Sequence, residues 1–335
     1  KVLYGNISEA FRLIEEMIYR TDLRDYKRLK EIIDETKSRM QMRFKSSGHS
    51  VAVDRAMSYY SEHGLFKEVT QGISFYEFLE DITANYALMK DSIISKLKDL
   101  LEIIFAKNKL LVSITADDEG YGLFTQSLAS FIRGLREKAP EKLLAGYGSL
   151  SLIPKCLNEG FKAAIQVQYV ARVGNYLRKG YKYTGALKVL RMILSYDYLW
   201  NNIRVKGGAY GCMCGFSGVD GDVYFVSYRD PNLKETNAIY ERIPEYLKNF
   251  SAEERDITKS IIGTISTLDA PLTPQTNGTR SLSILLSGQT YEDLLREREE
   301  IISVTQEDIR ALSDLVRAVL DEGYICVIGN ESRIE

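Results

Sequence analysis

The first 105 residues carry apolar side chains mostly at helical spacing. Within residues 6–19, Ile7, Phe11, Ile14 and Ile18 fall on one face of a helix. Similar patterns, separated by glycine, serine or a capping aspartate, predict four more helices. They span residues 22–46, 51–61, 74–82 and a following segment that ends at 105, with an irregular piece between Gly64 and Gly72.

The pattern then changes to a short apolar run. Residues 110–115 are continuously apolar apart from their last positions and predict a strand. Asp117 and Asp118 follow and are the predicted cap of a helix, as Asp22 is for the helix that ends at residue 46. Residues 134–159 contain charges, prolines, glycines and serines and are typical of a boundary between domains. We therefore predict two domains, at residues 1–145 and 146–335.

The second domain begins with a strand pattern. A strand at residues 160–172 and a long helix at 183–204 precede a hairpin, whose strands lie at 212–215 and 223–228 around a turn at 218–221. The remaining pattern is mostly helical. Helices are predicted at 232–247, 251–266, 275–286, 290–302 and 305–320, before a last strand at 324–328.

An internal repeat relates the two domains. Tyr76-Glu77-Phe78-Leu79 matches Tyr291-Glu292-Asp293-Leu294, and the same spacing pairs Leu110 with Ile325 without a gap. The repeat predicts an α+β fold of two homologous α/β domains, each with helices packed on a mostly antiparallel sheet. Because only Lys1–Tyr4 precedes the first matching helix, we expect the first domain to be truncated at its N-terminus, with Val2–Tyr4 as the stub of a hairpin strand.

Composition narrows the choice of partners and setting. Lys and Arg number 44 against 46 Asp and Glu, which gives a net charge of -2 and no basic footprint for nucleic acid or an anionic membrane. No apolar stretch is long enough to cross a bilayer. Four cysteines in 335 residues do not form a disulfide framework, so we expect a cytoplasmic location and neither a nucleic-acid nor a membrane partner.

The residues that usually bind catalytic zinc are scarce. The chain has only two histidines, His49 and His63, and neither belongs to a zinc-peptidase motif, so we expect a loop or cap residue and a helix-end residue. Cys212 and Cys214 share one face of a strand and could bind a soft metal, but without a second ligand pair they are better explained as buried apolar residues. Cys156 and Cys326 have the same interpretation. No metal site is predicted.

The stretch from residue 199 to 215 carries the strongest candidate chemistry. Arg204 should end a helix, Gly207 and Gly208 break it, and Tyr210 should begin a strand. A cation and a phenol brought together by a glycine turn could bind a peptide carbonyl, or the oxyanion formed when it is attacked. Alternatively, Arg204 caps the last helical carbonyls and Tyr210 lies half-buried on the sheet.

The same stretch resembles a known family. Leu199-Trp200-x-x-Ile203-Arg204-x-x-Gly207-Gly208-Ala209-Tyr210-Gly211 is similar to the C-terminal half of the presequence-protease branch of the pitrilysin/insulinase zinc peptidases. Further similar segments cover nearly the whole chain. They are Ser46-Ser47-Gly48-His49, Arg55-Ala56, Gly72-Ile73-Ser74-Phe75-Tyr76-Glu77-Phe78-Leu79, Asp269-Ala270-Pro271-Leu272-Thr273-Pro274 and Gly323-Tyr324.

The resemblance implies a function shared between two halves of one polypeptide. These peptidases have four homologous domains, with the zinc motif H-x-x-E-H in the first, and the second half supplies an Arg and a Tyr to the site. The resemblance therefore implies that Arg204 and Tyr210 bind the peptide and stabilise the tetrahedral intermediate, beside Gly207 and Gly208. The zinc motif is missing here, so we expect a chain that binds no zinc and is inactive without its N-terminal half.

A second interpretation belongs to another class of protein. Relatives of this fold also serve as non-catalytic peptide-binding or scaffold subunits. A scaffold has no need of the Arg204 and Tyr210 pair, which favours the peptidase. The zinc motif upstream, present or absent, would discriminate between the two.

Overall fold

The computed structural model describes residues 1–141, 143, 153–155 and 157–334. The predicted domain boundary between residues 145 and 146 and the predicted environment of Cys156 lie outside these residues. The helices are Ile7–Tyr19, Tyr26–Ser46, Gly48–Met57, Glu62–Gln71, Ile73–Ala84, Tyr86–Ile104, Asp118–Gly134, Ala186–Ile193, Lys234–Glu241, Ile243–Lys248, Glu254–Leu268, Pro274–Ser287, Tyr291–Ile302, Gln306–Ala311 and Ser313–Leu320. The strands are β1 (Glu159–Ala163), β2 (Tyr169–Asn175), β3 (Gly211–Phe216), β4 (Asp222–Tyr228) and β5 (Tyr324–Asn330).

The chain forms two compact units that are not continuous in sequence. The first contains the described residues of Lys1–Lys37, Phe78–Ser151 and Pro271–Gly288. The second contains those of Ser38–Glu77, Leu152–Ala270 and Gln289–Glu335. Residues 38–77, which the sequence places in the first domain, belong to the second unit because helix Gly48–Met57 packs on the sheet.

The first unit is helical in its described part. Phe11 of helix Ile7–Tyr19 contacts Phe124 and Phe131, with ring centroids 5.5 and 5.3 Å away, so two predicted apolar stripes pack together. Asp117 caps the second of these helices as predicted, accepting a hydrogen bond from the Gly120 amide at 2.9 Å.

Two predicted strands of this unit are absent from the described residues. Residues 110–115 are irregular, so the strand predicted there is wrong, and Val2–Tyr4 form no hairpin strand. Neither segment has a partner strand, and a lone strand leaves its backbone groups unpaired. The Tyr4 hydroxyl instead donates to the Asp117 carboxylate at 2.7 Å. The helix pairs of the internal repeat are present in both copies, whereas its strand is present only in the second, as β5.

Two helical predictions also need correction. Residues 62–71 form a helix rather than an irregular piece, because the Ser61 hydroxyl accepts a hydrogen bond from the Gly64 amide and caps it. The second helix begins at Tyr26, later than predicted, and Asp25 rather than Asp22 accepts the first-turn amide of Arg28.

The second unit is built on one five-stranded sheet of order β1-β5-β2-β4-β3. β1 and β5 are parallel, and the other neighbouring strands are antiparallel. The predicted hairpin is confirmed as β3 and β4, whereas the strand predicted at 160–172 is two strands, β1 and the start of β2. The α+β class with a mostly antiparallel sheet is therefore confirmed.

Both faces of this sheet are covered. Along β2, Val170 points into a core with Leu187 and Leu190, whereas its neighbours Tyr169 and Ala171 face the opposite core. This alternation follows from the two-residue period of a strand. Every residue of β2 is buried, and β3 lies at the edge of the sheet, next to the helix that carries the candidate site.

Candidate functional site

Arg204 lies near the end of an unusual helix. The α-helix Ala186–Ile193 continues as π-helical segments at Leu194–Tyr198 and Trp200–Lys206, a rare geometry that is often found at functional sites. The Arg204 guanidinium stacks on the Trp200 ring, with its carbon 3.9 Å from the ring centroid. Among the described residues, no carboxylate, carbonyl or amide pairs with this guanidinium.

The last helical carbonyls are bound by other groups. The Ile203 oxygen accepts from the Ala209 amide at 3.1 Å, and the Arg204 oxygen accepts from the Gly208 amide at 3.0 Å. The Asn232 side chain donates to the Gly207 oxygen at 2.7 Å. A capping role for the Arg204 side chain is therefore not what the geometry shows.

The two glycines make the turn that follows possible. Gly208 has a φ of 80°, in the left-handed region that glycine adopts without strain. A Cβ on Gly207 would lie 2.5 Å from the Ile203 carbonyl oxygen, which is too close. The chain therefore reverses within a few residues of Arg204 and enters β3.

Tyr210 stands immediately before β3 and is well exposed. Its amide donates to the Arg229 carbonyl at 3.2 Å, and its ring lies edge-on to Tyr228 with centroids 5.7 Å apart. The side chain is 66% exposed, so its half-buried alternative is wrong. The base of the ring is held while the hydroxyl faces outward.

These residues line one open pocket of about 570 Å³. Its lining comprises Trp200, Arg204, Val205, Gly208, Ala209, Tyr210 and Arg229. Three of the four predicted site residues thus meet at one place, and Gly207 lies in the turn directly behind them. Arg229 was missed by the sequence analysis, since nothing in the local pattern after β4 distinguishes it from a solvent-exposed cation.

The cysteine thiols near the pocket are not activated. Burial raises the pKa of Cys212 and of Cys326 to about 12, and that of Cys214 to about 11. Thiols with such values stay protonated near neutral pH and are poor nucleophiles and metal ligands. All three are free thiols, which agrees with their prediction as buried or partly buried apolar residues.

The histidines lie elsewhere in the fold. His49 is on helix Gly48–Met57, not in a loop, and packs edge-on against Tyr228 with centroids 4.8 Å apart. Its Nδ1 is buried without a hydrogen-bond partner among the described residues, and burial lowers its pKa. His63 lies in the first turn of helix Glu62–Gln71.

The sequence matches two family models. One is described as the PreP C-terminal domain and covers residues 158–331, which include the whole pocket. The other is described as associated with peptidases of family M16, subfamily C, and covers residues 1–82. The chain belongs to the presequence protease family.

Curated relatives align along the whole chain of this presequence protease family member. Protein HypA of Clostridium perfringens is 40% identical over 100% of this chain and 34% of its own length. Presequence protease 1 of Arabidopsis thaliana, a chloroplastic and mitochondrial protein, is 30% identical over 100% of this chain and 31% of its own length. The chain thus spans about a third of the length of these relatives.

Two solved peptidase structures share the fold. A protease from Helicobacter pylori aligns with a TM-score of 0.52 and 12% identity, over 97% of this chain and 76% of that one. The first half of the periplasmic protease PqqL from Escherichia coli aligns with a TM-score of 0.51 and 11% identity, over 99% and 72%. At these identities the likeness concerns the fold alone.

The described residues of this presequence protease family member do not fit a zinc ion. Among them, no group of three or more His, Cys, Asp and Glu side chains is placed to hold a metal. Three protein ligands are the usual minimum for a catalytic zinc. In the same described residues, no helix is both long and apolar enough to cross a membrane.

Proposed function

We propose that this chain supplies the peptide-binding and transition-state-stabilising part of a zinc-dependent oligopeptide-degrading metalloendopeptidase. The observation that carries the proposal is the pocket in which Arg204 and Tyr210 meet, with a guanidinium that no described residue neutralises. The zinc site would belong to the N-terminal half of the same polypeptide, because the described residues here offer no ligand set. Without that half the chain would be inactive.

Each residue of the pair has a distinct role in this proposal. The exposed Tyr210 hydroxyl would donate a hydrogen bond to the substrate carbonyl oxygen as it becomes an oxyanion. Arg204, held against Trp200, would bind a neighbouring backbone carbonyl of the peptide. Gly207 and Gly208 have no side chains, which would let the peptide backbone come close to the turn.

The proposal also includes the partners and the setting. The ligand would be a peptide and the partner the N-terminal half, with neither nucleic acid nor a membrane, given the net charge of -2. A reducing, cytoplasmic setting would suit the free thiols of Cys212, Cys214 and Cys326. Disulfide mapping of the protein isolated from cells would test this setting.

A reconstitution experiment tests the proposed function. The chain is mixed with the separately produced N-terminal half and zinc, and cleavage of a fluorogenic peptide is followed. We expect cleavage only in the mixture. If the halves associate but never cleave, the alternative of a non-catalytic peptide-binding or scaffold subunit replaces the proposal.

We expect Arg204→Ala to weaken peptide capture, raising KM of the mixture by about tenfold, the scale for losing one charged hydrogen bond. The steady-state rates against peptide concentration measure this. Lys206→Ala is the matched control, because Lys206 is an exposed cation two residues away that does not line the pocket. Unchanged KM and kcat in Arg204→Ala would remove Arg204 from the site.

A further inference from the structure

Arg229 has an unusual backbone conformation. Its φ is 50°, and among the described residues it is the one residue other than glycine with a positive φ. Arginine adopts this left-handed region rarely, since its Cβ crowds the backbone there. Such outliers persist where the surrounding structure fixes them and are concentrated at binding and active sites.

The contacts of Arg229 fix this conformation beside Tyr210. Its carbonyl accepts the Tyr210 amide at 3.2 Å, so the kink in one strand sets the position of the other residue. The guanidinium lies over the Tyr228 ring, 5.4 Å from the centroid, and hydrogen-bonds the Tyr169 hydroxyl. The kink therefore directs a cation to the pocket that Tyr210 lines.

The pocket carries two cations and no anion. Arg204 and Arg229 both line it, and no carboxylate does so among the described residues. The neighbouring Asp230 is fully buried, and its carboxylate accepts from the Thr236 hydroxyl at 2.7 Å and the Asn232 amide at 2.9 Å. Because these bonds hold Asp230 away from the pocket, the two guanidinium groups lack a counter-ion there.

A pair of guanidinium groups is well suited to a carboxylate, whose two oxygens match the planar donors of arginine. We propose that Arg229 binds a carboxylate group of the peptide ligand, in the pocket that it shares with Arg204 and Tyr210. The carboxylate belongs either to the C-terminus of the peptide or to an Asp or Glu side chain. This inference rests on the proposed function, because it takes the ligand to be a peptide.

Trp200 provides a direct readout of this site. It is the single tryptophan of the chain, it lines the pocket and it stacks on Arg204. The chain is titrated with four acetylated alanine pentapeptides while tryptophan fluorescence is recorded. The first has a free C-terminus and the second a C-terminal amide; the third and fourth are amides with a central Glu or Gln.

We expect at least one carboxylate peptide to bind about tenfold more tightly than its amide partner, the factor for one charge-assisted hydrogen bond. The pair of peptides that shows the difference identifies the source of the carboxylate. Arg229→Gln should remove this preference and leave the affinity for the neutral peptides unchanged. Lys206→Gln is the control for general loss of positive charge and should keep the preference.

Arg229→Gly separates binding from backbone strain. Glycine adopts a φ of 50° without strain, so this variant should fold with an unchanged melting temperature and still lose the carboxylate preference. The inference is overturned if Arg229→Gln keeps the preference, or if the unchanged chain shows none or binds no peptide. The titration needs no cleavage, so its failure is distinguishable from a failure of the reconstitution, and the reverse also holds.

Discussion

Tyr210→Phe is expected to lower kcat of the reconstituted peptidase by about a hundredfold or more. The substitution removes only the hydroxyl, and loss of one oxyanion donor has an effect of about this size. The ring contact with Tyr228 stays, because it involves the ring and not the hydroxyl. Steady-state kinetics of the mixture with the N-terminal half measure kcat, and a thermal melt of the chain should show no change.

A second tyrosine controls for removal of an exposed hydroxyl. Tyr291 is 69% exposed, close to the 66% of Tyr210, and does not line the pocket. Tyr291→Phe should leave kcat unchanged. If Tyr210→Phe also cleaves at the unchanged rate, the tyrosine has no part in stabilising the oxyanion and the proposed function loses its main support.

The largest expected effect on stability comes from Arg55. Its guanidinium donates to Glu68 at 2.9 Å and to both oxygens of Glu159 at 2.7 and 2.9 Å. Glu68 is fully buried, so Arg55→Met leaves a carboxylate without its counter-charge in the interior. We expect a loss of about 3–5 kcal/mol in the free energy of unfolding, the usual cost of removing one partner of a buried ion pair. Urea denaturation followed by circular dichroism measures it.

An exposed pair of the same chemistry is the control. Arg298 binds both oxygens of Asp269 at 2.7 Å, but the two side chains are 42% and 50% exposed. Arg298→Met should cost less than about 1 kcal/mol, because water screens and replaces the interaction. Equal losses in the two variants would contradict the explanation by burial. Adding Glu68→Gln to Arg55→Met should recover part of the loss, since the amide carries no charge.

The same cluster makes part of the stability dependent on pH. Burial alone would raise the pKa of Glu159, but hydrogen bonds from Arg55 and Tyr59 outweigh it and lower the pKa below the ordinary value of 4.5. A lowered folded pKa means that this contribution is present above pH 4.5 and is lost as the pH falls through the folded value. In Arg55→Met, the loss of stability below pH 4.5 should be smaller.

The order of elements around the pocket could be predicted because it depends on local sequence. Two consecutive glycines end a helical pattern, and alternating residues follow, so Arg204 and Tyr210 were placed correctly at the two ends of the turn. Arg229 could not be found in this way. Its place in the pocket depends on the register of β3 with β4 and on one left-handed residue, neither of which the pattern encodes.

The errors have similar physical causes. Residues 110–115 are apolar enough for a strand, but a strand needs a neighbour, and none of the described residues supplies one. Gly64 looked like a helix breaker, yet it occupies the first turn of its helix, where its amide is bound by Ser61. Glycine costs little at such a helix end, so its presence did not exclude the helix.

The π-helical segments give insertions and deletions a specific meaning in this protein. A π turn holds an extra residue relative to an α turn, so loss of one codon between Leu194 and Lys206 could restore an α-helix without unfolding it. Every side chain after the deletion would then turn by about 100° around the helix axis. Arg204 would leave the pocket while Tyr210 stayed anchored in the sheet. In a lineage of such genes, a one-codon gap here would mark the descendants that kept the fold and abandoned the chemistry.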